Sequence, residues 1–225
     1  MSKHIVPRDN FIYLTIAIIL LLLFSAILDQ YFGDIGERIL LAIFVLTLAS
    51  GVWSIKGKRS FFRSGIGLVL GIILVTLVGY WLDESGLSVL HILIMLVFFV
   101  LTCWVAVQQV IFSGRIDGNS IVGAICIYLL LGMIWAMLYL LIENIAPGSF
   151  KGLPETGTSA NVDSLIYFSF ISLTTMGFGD ITPALPLARF LTYMEGLVGQ
   201  FYLAILVASL VGTRVSVWQQ KGDDS

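Results

Sequence analysis

Long apolar runs free of charged side chains constrain the fold of this chain more than any other feature. A bilayer-spanning helix needs roughly 17 to 25 mostly apolar residues. Five runs meet this requirement without a single Lys, Arg, Asp or Glu, and a sixth contains only Glu195. The six runs are residues 11–28, 39–55, 64–82, 87–112, 120–142 and 190–212. We therefore predict an all-α integral membrane protein with six transmembrane helices.

The overall composition agrees with a membrane protein and excludes several other classes. Hydrophobic residues make up 58% of the 225 residues and charged residues 12%, whereas soluble domains average about 25% charged. The net charge is −2 and no basic cluster of the kind that binds nucleic acids occurs, so we expect no nucleic-acid partner. Cys103 and Cys126 lie in apolar runs without metal-type spacing, and we interpret them as buried small hydrophobes.

The distribution of basic residues predicts the orientation in the membrane. Cytoplasmic loops carry an excess of Lys and Arg. With a cytoplasmic N-terminus, three basic residues face outside, namely Arg38, Lys151 and Arg189. The nine that face inside are Lys3, Arg8, Lys56, Lys58, Arg59, Arg63, Arg115, Arg214 and Lys221. We therefore expect a multi-pass protein of the plasma (inner) membrane with both termini cytoplasmic, and no cleaved signal peptide, because further spans follow the first run.

A short apolar segment lies between the fifth and sixth runs. Residues 143–163 are rich in Gly, Pro, Ser and Thr and predict an outer loop. Residues 163–174 follow, a run too short to cross a bilayer but long enough for a re-entrant helix. Asn161 or Asp163 is expected to cap its start.

The residues after this predicted helix cannot continue it. Gly177, Gly179 and Pro183 lie too close together for a helix. Non-helical backbone at membrane depth is tolerated only where it is buried in protein or lines a water-filled path. The arrangement therefore indicates a pore.

The segment 174–180 reads Thr-Thr-Met-Gly-Phe-Gly-Asp and resembles the potassium-channel signature T-T-V-G-Y-G-D at five of seven positions. The segment 195–204, EGLVGQFYLA, is similar to bacterial members of the potassium channel family. The resemblance covers roughly residues 120–212. It implies a pore domain over residues 116–225, and residues 1–115 would form a four-helix membrane domain of unknown role.

The resemblance also implies how ions are bound. Rings of backbone carbonyls replace the hydration shell of K⁺ in such filters. The carbonyls of Thr175, Met176, Gly177 and Phe178, with the Thr175 hydroxyl, would coordinate K⁺, and Gly177 and Gly179 would supply conformations that other residues resist. One filter strand forms one side of a ring, so four copies are needed and a homotetramer is expected. Apart from K⁺ and membrane lipid, no cofactor or partner is expected.

Five residues are expected to support the filter, namely Thr174, Asp180, Tyr167, Phe168 and Glu195. Tyr167 and Phe168 stand where many family members have tryptophans. In some members Asp180 pairs with a pore-helix Glu, but this chain has Ile171 at that position. We expect Glu195 to face the protein interior. Its candidate partners are Ser172, Thr174 and Thr192, and its role is either a titrating switch or a permanently satisfied buried acid.

Residues of the last helix are expected to line a cavity below the filter. Gln200, Leu203, Val207 and Val211 follow each other at spacings of three and four and so share one helix face. Gly199 is a candidate bending point, although small residues also permit close packing between helices.

Three alternatives to a potassium-selective channel remain open. Met176 and Phe178, which replace Val and Tyr of the signature, motivate a weakly selective cation channel. A pore subunit that is silent without a partner is the second alternative. An intramembrane enzyme is disfavoured because the chain has only His4 and His91 and no GxSxG or HExxH motif. Residues 87–112 carry no Lys or Arg, so we predict no conventional voltage sensor; His91 there is either a pH sensor or interfacial packing.

Overall fold

A computed structural model of the chain describes residues 11–31, 85–112, 118–154 and 158–223. These residues form five helices and one pair of short strands. The elements in chain order are α1 (Phe11–Tyr31), α2 (Ser85–Phe112), α3 (Gly118–Ile145), β1 (Phe150–Lys151), α4 (Thr158–Leu173), β2 (Thr182–Pro183) and α5 (Pro186–Asp223).

Helix α3 occupies the centre of the described fold, in contact with α1, α2, α4 and α5. Its buried side chains are mainly apolar, among them Leu130, Met133 and Tyr139. Two tyrosine hydroxyls bond it to the C-terminal half: Tyr128 donates to the Leu173 carbonyl at 3.2 Å, and Tyr202 of α5 donates to the Ala124 carbonyl at 2.6 Å. The two rings also stack on each other.

Three of the described helices are long and apolar enough to cross a membrane. By length and composition these segments are Val89–Val110, Ser120–Ile145 and Pro186–Ser209. Phe11–Phe24 and Asn161–Leu173 are shorter apolar helical segments. The predicted spans 11–28, 87–112, 120–142 and 190–212 coincide with helices, and the predicted spans 39–55 and 64–82 lie outside the described residues. The domain boundary predicted at residue 115 also lies outside the described residues.

Helix α4 is longer than the sequence predicted. It begins at Thr158 rather than at Asp163 and ends at Leu173 rather than at Thr174. Asn161 and Asp163 therefore lie inside the helix, and the prediction that either caps it is wrong. The outer loop is correspondingly shorter than residues 143–163, because α3 continues to Ile145.

A two-stranded antiparallel pairing ties the segment before α4 to the segment after it. Phe150 pairs with Pro183, and Lys151 pairs with Thr182. Gly152 follows at a φ of +88°, and a Cβ there would lie 2.0 Å from the Asp180 carbonyl oxygen. Only glycine fits this position, because both the conformation and the space exclude a side chain. The sequence did not predict this pairing.

The turn between α3 and β1 is held by Glu143. Its carboxylate accepts hydrogen bonds from the backbone N–H groups of Gly148, at 2.7 Å, and Phe150, at 3.1 Å. Glu143, in the last turn of α3, therefore has a structural role, since its two oxygens satisfy backbone donors of the turn and of β1.

Helix α5 approaches the C-terminal end of α4 closely at Gly199. An added Cβ at Gly199 would lie 2.3 Å from the Leu173 carbonyl oxygen. At Gly196, one turn earlier, the nearest atom to an added Cβ is the Ser172 carbonyl oxygen at 3.9 Å, an ordinary contact. Of the two roles considered for Gly199, the structure places it in close packing.

We predict that Gly199→Ala destabilises the fold while Gly196→Ala does not. The methyl at residue 199 has to displace a backbone carbonyl, and such overpacking costs about 1–3 kcal/mol. At residue 196 the helix propensity of alanine makes the change neutral or favourable. Thermal unfolding of the two variants in the same detergent measures this difference, and equal midpoints for both variants would contradict it.

Candidate functional site

The C-terminal end of α4 holds the segment that follows it through backbone hydrogen bonds. The N–H of Thr175 donates to the Ser172 carbonyl at 3.0 Å. The N–H groups of Met176 and Gly177 both donate to the Ile171 carbonyl, at 2.8 and 3.2 Å. The last carbonyls of a helix have no partner within it, so they are available for these three amides.

The direction of these amides determines where the carbonyls of the same peptide units point. All described peptide bonds are trans, and in a trans peptide the C=O points opposite to the N–H. The carbonyls of Thr174, Thr175 and Met176 therefore point away from α4, to one common side. Within the described part of the chain, no carbonyl from Thr175 to Gly179 accepts a backbone hydrogen bond. The segment thus presents a row of unsatisfied acceptors.

The backbone conformation alternates along this segment. Thr175, Gly177 and Gly179 have φ values of +59°, +52° and +80°, whereas Met176 and Phe178 have negative φ. In a regular strand successive carbonyls point to opposite sides, and this alternation turns neighbouring peptide units the same way. A β-branched residue at positive φ is an outlier, so Thr175 carries strain of about 1–3 kcal/mol. The sequence predicted special conformations only for the two glycines.

Gln200 of α5 reaches the start of this segment. Its Nε2 donates to the Thr175 hydroxyl oxygen at 3.2 Å, and its side chain is exposed in the single chain. Leu203 and Val207 of the same predicted face are also exposed. The side chain of Val211 lies outside the described residues. A polar amide from the long helix is therefore adjacent to the first residue of the segment.

Asp180, which follows the segment, is paired with Tyr167 of α4. The Tyr167 hydroxyl donates to the carboxylate and holds the pKa of Asp180 below its usual value. Tyr167 thus takes the place of the acid that Ile171 cannot supply. The neighbouring Phe168 points elsewhere: it is buried against Tyr139 and Phe150, with ring centroids 5.3 Å from each. Of these two aromatic residues, Tyr167 alone bonds to Asp180.

Glu195 is fully buried between three helices. Its Oε1 lies 2.6 Å from Ser169 Oγ of α4, and its Oε2 lies 2.5 Å from the Tyr139 hydroxyl of α3. These are not the partners suggested by the sequence. Thr174 donates to the Phe170 carbonyl of α4, and Thr192 donates to the Ala188 carbonyl of its own helix α5. Ser169 lies one helical turn before Ser172, a partner suggested by the sequence, whereas Tyr139 is separated from Glu195 by 56 positions.

Comparisons with known proteins agree with a channel. The model of the family described as "Ion channel" matches residues 123–213, less than half of the chain. The protein "Two pore potassium channel c" of Oryza sativa subsp. japonica is 35% identical over 65 residues, which are 29% of this chain and 14% of that protein. No solved structure matches significantly. Residues 123–213 are therefore similar to an ion channel domain. The chain is a membrane protein, and the matches point to a channel rather than an enzyme.

We predict that Gly177 is required for its backbone conformation and not for lack of space. An added Cβ at this glycine meets no atom within 4 Å, yet φ is positive. L-Ala there costs about 1–2 kcal/mol, whereas D-Ala, introduced by semisynthesis, is unstrained. Cation flux into proteoliposomes should fall with L-Ala and persist with D-Ala. Full flux with L-Ala would exclude the assigned conformation, and equal loss with both isomers would show that any side chain blocks the site.

We also predict that Tyr167→Phe shifts an acid-sensitive step to higher pH. Because the pKa of folded Asp180 lies below the unfolded value of about 3.9, the contact contributes fully above that value and is lost as the pH falls through the folded pKa. Without the hydroxyl donor the folded pKa rises. A titration of flux from the outer side measures the midpoint, and Tyr193→Phe, on the exposed surface of α5, serves as the control. An unchanged midpoint in Tyr167→Phe would contradict the pairing.

Proposed function

We propose that this chain forms a potassium-selective channel with its filter at residues 175–179. The observation that carries the proposal is the capture of three successive amides by the end of α4, which turns the carbonyls of Thr174, Thr175 and Met176 to one side. The resemblance of residues 174–180 to the potassium-channel signature supports the same ion. So does the name of the rice relative.

The chemistry of the segment suits a weakly hydrated monovalent cation. K⁺ enters such a filter by exchanging its water shell for carbonyl oxygens. The carbonyls of Thr175, Met176, Gly177 and Phe178 would form successive layers of ligands, and the Thr175 hydroxyl a further one. Gln200 donates one hydrogen bond to the Thr175 hydroxyl, so the hydroxyl oxygen of Thr175 keeps a second lone pair for the ion.

The proposal requires four copies of the chain around one axis. A single strand supplies one side of each ligand ring, and closed rotational symmetry supplies the others. The exposed apolar side chains around the filter and along α5 support this arrangement. Phe178, Phe201 and Ile205 are 68%, 64% and 65% exposed in the single chain. Side chains of this size need cover from a neighbouring copy or from lipid.

In the proposed arrangement α4 enters the membrane from the outer side and returns through the filter, without crossing. The chain then has six spans, with both termini in the cytoplasm, in the plasma (inner) membrane. Its partners are three further copies, lipid and the permeating K⁺, and no nucleic acid or additional cofactor is involved.

A weakly selective cation channel is the second candidate. Phe178 replaces the tyrosine of the signature and has no hydroxyl with which to bond surrounding groups. A less rigid filter adapts more readily to Na⁺. The same scaffold therefore serves both candidates, and only the ion preference separates them.

We predict that purified protein in a planar bilayer prefers K⁺ over Na⁺ by about tenfold or more, the factor that corresponds to 1.4 kcal/mol. The reversal potential under bi-ionic K⁺/Na⁺ conditions measures this ratio. A reversal potential near zero would favour the second candidate, and the absence of any current carried by the protein would contradict both.

Phe178→Tyr is the matched variant, because it restores the signature residue and adds one hydroxyl. If Phe178 weakens the filter, this change raises the K⁺/Na⁺ ratio. If the wild type already excludes Na⁺, the ratio stays the same.

A further inference from the structure

A buried polar cluster joins the three helices of the channel domain behind the filter. Its members are Glu195 of α5, Ser169 of α4, and Tyr139 and the Gly132 carbonyl of α3. Glu195 and Ser169 are 0% exposed, and so is Tyr139. The cluster is distinct from the proposed ion path, since none of its side chains reaches residues 175–179.

The number of protons in the cluster is limited by the position of Ser169. Its hydroxyl oxygen lies 2.8 Å from the Gly132 carbonyl oxygen and 2.6 Å from Glu195 Oε1. A carbonyl can only accept and Ser169 has a single proton, so Ser169 alone cannot donate in both contacts. If Glu195 were ionised, one of these two short contacts would hold no proton, and two oxygens would face each other through lone pairs alone.

A proton on Glu195 Oε1 satisfies every contact. The Tyr139 hydroxyl donates to Oε2 at 2.5 Å, the carboxyl donates through Oε1 to Ser169, and Ser169 donates to Gly132. The result is a one-directional chain of three hydrogen bonds that starts and ends on α3. In such a chain each bond polarises the next and strengthens it.

The described surroundings of Glu195 contain no positive charge that could pair with a carboxylate. Among the described residues no Lys, Arg or His forms an ion pair with Glu195. Among the described residues, the titratable groups that face Glu195 are Tyr139, in contact with it, and Tyr128 further along α3. Helix α4 contributes the hydroxyl of Ser169, which does not titrate. An unpaired carboxylate in this setting is far costlier than a neutral acid.

We propose that Glu195 is a neutral carboxylic acid that donates a hydrogen bond to Ser169 and thereby positions α4 between α3 and α5. Ser169 precedes Ile171 and Ser172, the two residues whose carbonyls hold the amides of residues 175–177. A shift of α4 relative to α3 and α5 would move those carbonyls. Glu195 is thus a positioning residue for the filter, acting through α4.

Infrared spectroscopy of the full chain in lipid tests the protonation state without reference to conduction. At neutral pH, the difference spectrum between wild type and Glu195→Gln should contain the C=O stretch of a protonated carboxyl in the wild type. Ser169→Ala, which removes the acceptor, should shift this band, whereas Thr102→Val, which removes another buried hydroxyl that bonds only its own helix, should not. Absence of the band in wild type and Ser169→Ala alike would overturn the proposal.

Flux measurements test the positioning role. Gln can donate from its amide to Ser169 and accept from Tyr139, so Glu195→Gln should retain flux at neutral pH. Asp is one methylene shorter and cannot bridge both partners, so Glu195→Asp should lose about tenfold, a factor that corresponds to 1.4 kcal/mol. Raising the pH until the acid ionises should reduce flux in wild type but not in Glu195→Gln.

Equal flux in the Gln and Asp variants, or identical alkaline profiles for wild type and Glu195→Gln, would overturn the positioning role. The infrared band is independent of the ion that passes. A protonated Glu195 without potassium selectivity would therefore contradict the proposed function alone.

Discussion

The capture of three backbone amides by the free carbonyls at the end of α4 is the interaction on which the rest of the site depends. A helix must end with carbonyls that lack partners, and here two of them hold three consecutive N–H groups. Because each peptide unit is rigid and trans, binding its N–H also directs its C=O. The end of α4 thereby determines both the shape of the segment and the side on which its carbonyl acceptors lie. A displacement of this helix end would move several of these carbonyls at once.

Several contacts around α4 hold its C-terminal end in place. Tyr128 bonds the Leu173 carbonyl, and Gly199 lets α5 approach the same carbonyl. Tyr167 holds the C-terminal end of the segment through its hydrogen bond to Asp180. The β1–β2 pairing joins the chain before α4 to the chain after Asp180. These contacts come from α3, α5 and the β1–β2 pair, so each of these elements is connected to the segment 175–180. A movement of α5 would reach the proposed filter through Gly199 and Gln200.

Some features of the site could not be predicted from local sequence patterns. The glycines at 177 and 179 were recognisable because their spacing excludes a helix, but nothing in the sequence marked Thr175 as a residue with positive φ. Its conformation is imposed by the bonds of its neighbours to α4, and such local violations concentrate at functional sites. Phe168 is a second example. Its neighbour Tyr167 meets Asp180, whereas Phe168 joins an aromatic cluster with Tyr139 and Phe150, because adjacent residues of a helix point in different directions.

The sequence alone indicated the membrane character of the chain, the described long helices and the non-helical segment that follows α4. These features follow from apolar run lengths and from glycine spacing, which are local properties. The sequence also indicated that Glu195 needs a polar partner in the interior. Only the tertiary structure decided that the partners are Ser169 and Tyr139, that α4 begins at Thr158, and that Gly199 is a packing residue. Each of these depends on which side chains of separate helices meet in space, and residues 56 positions apart leave no periodic signal of their contact.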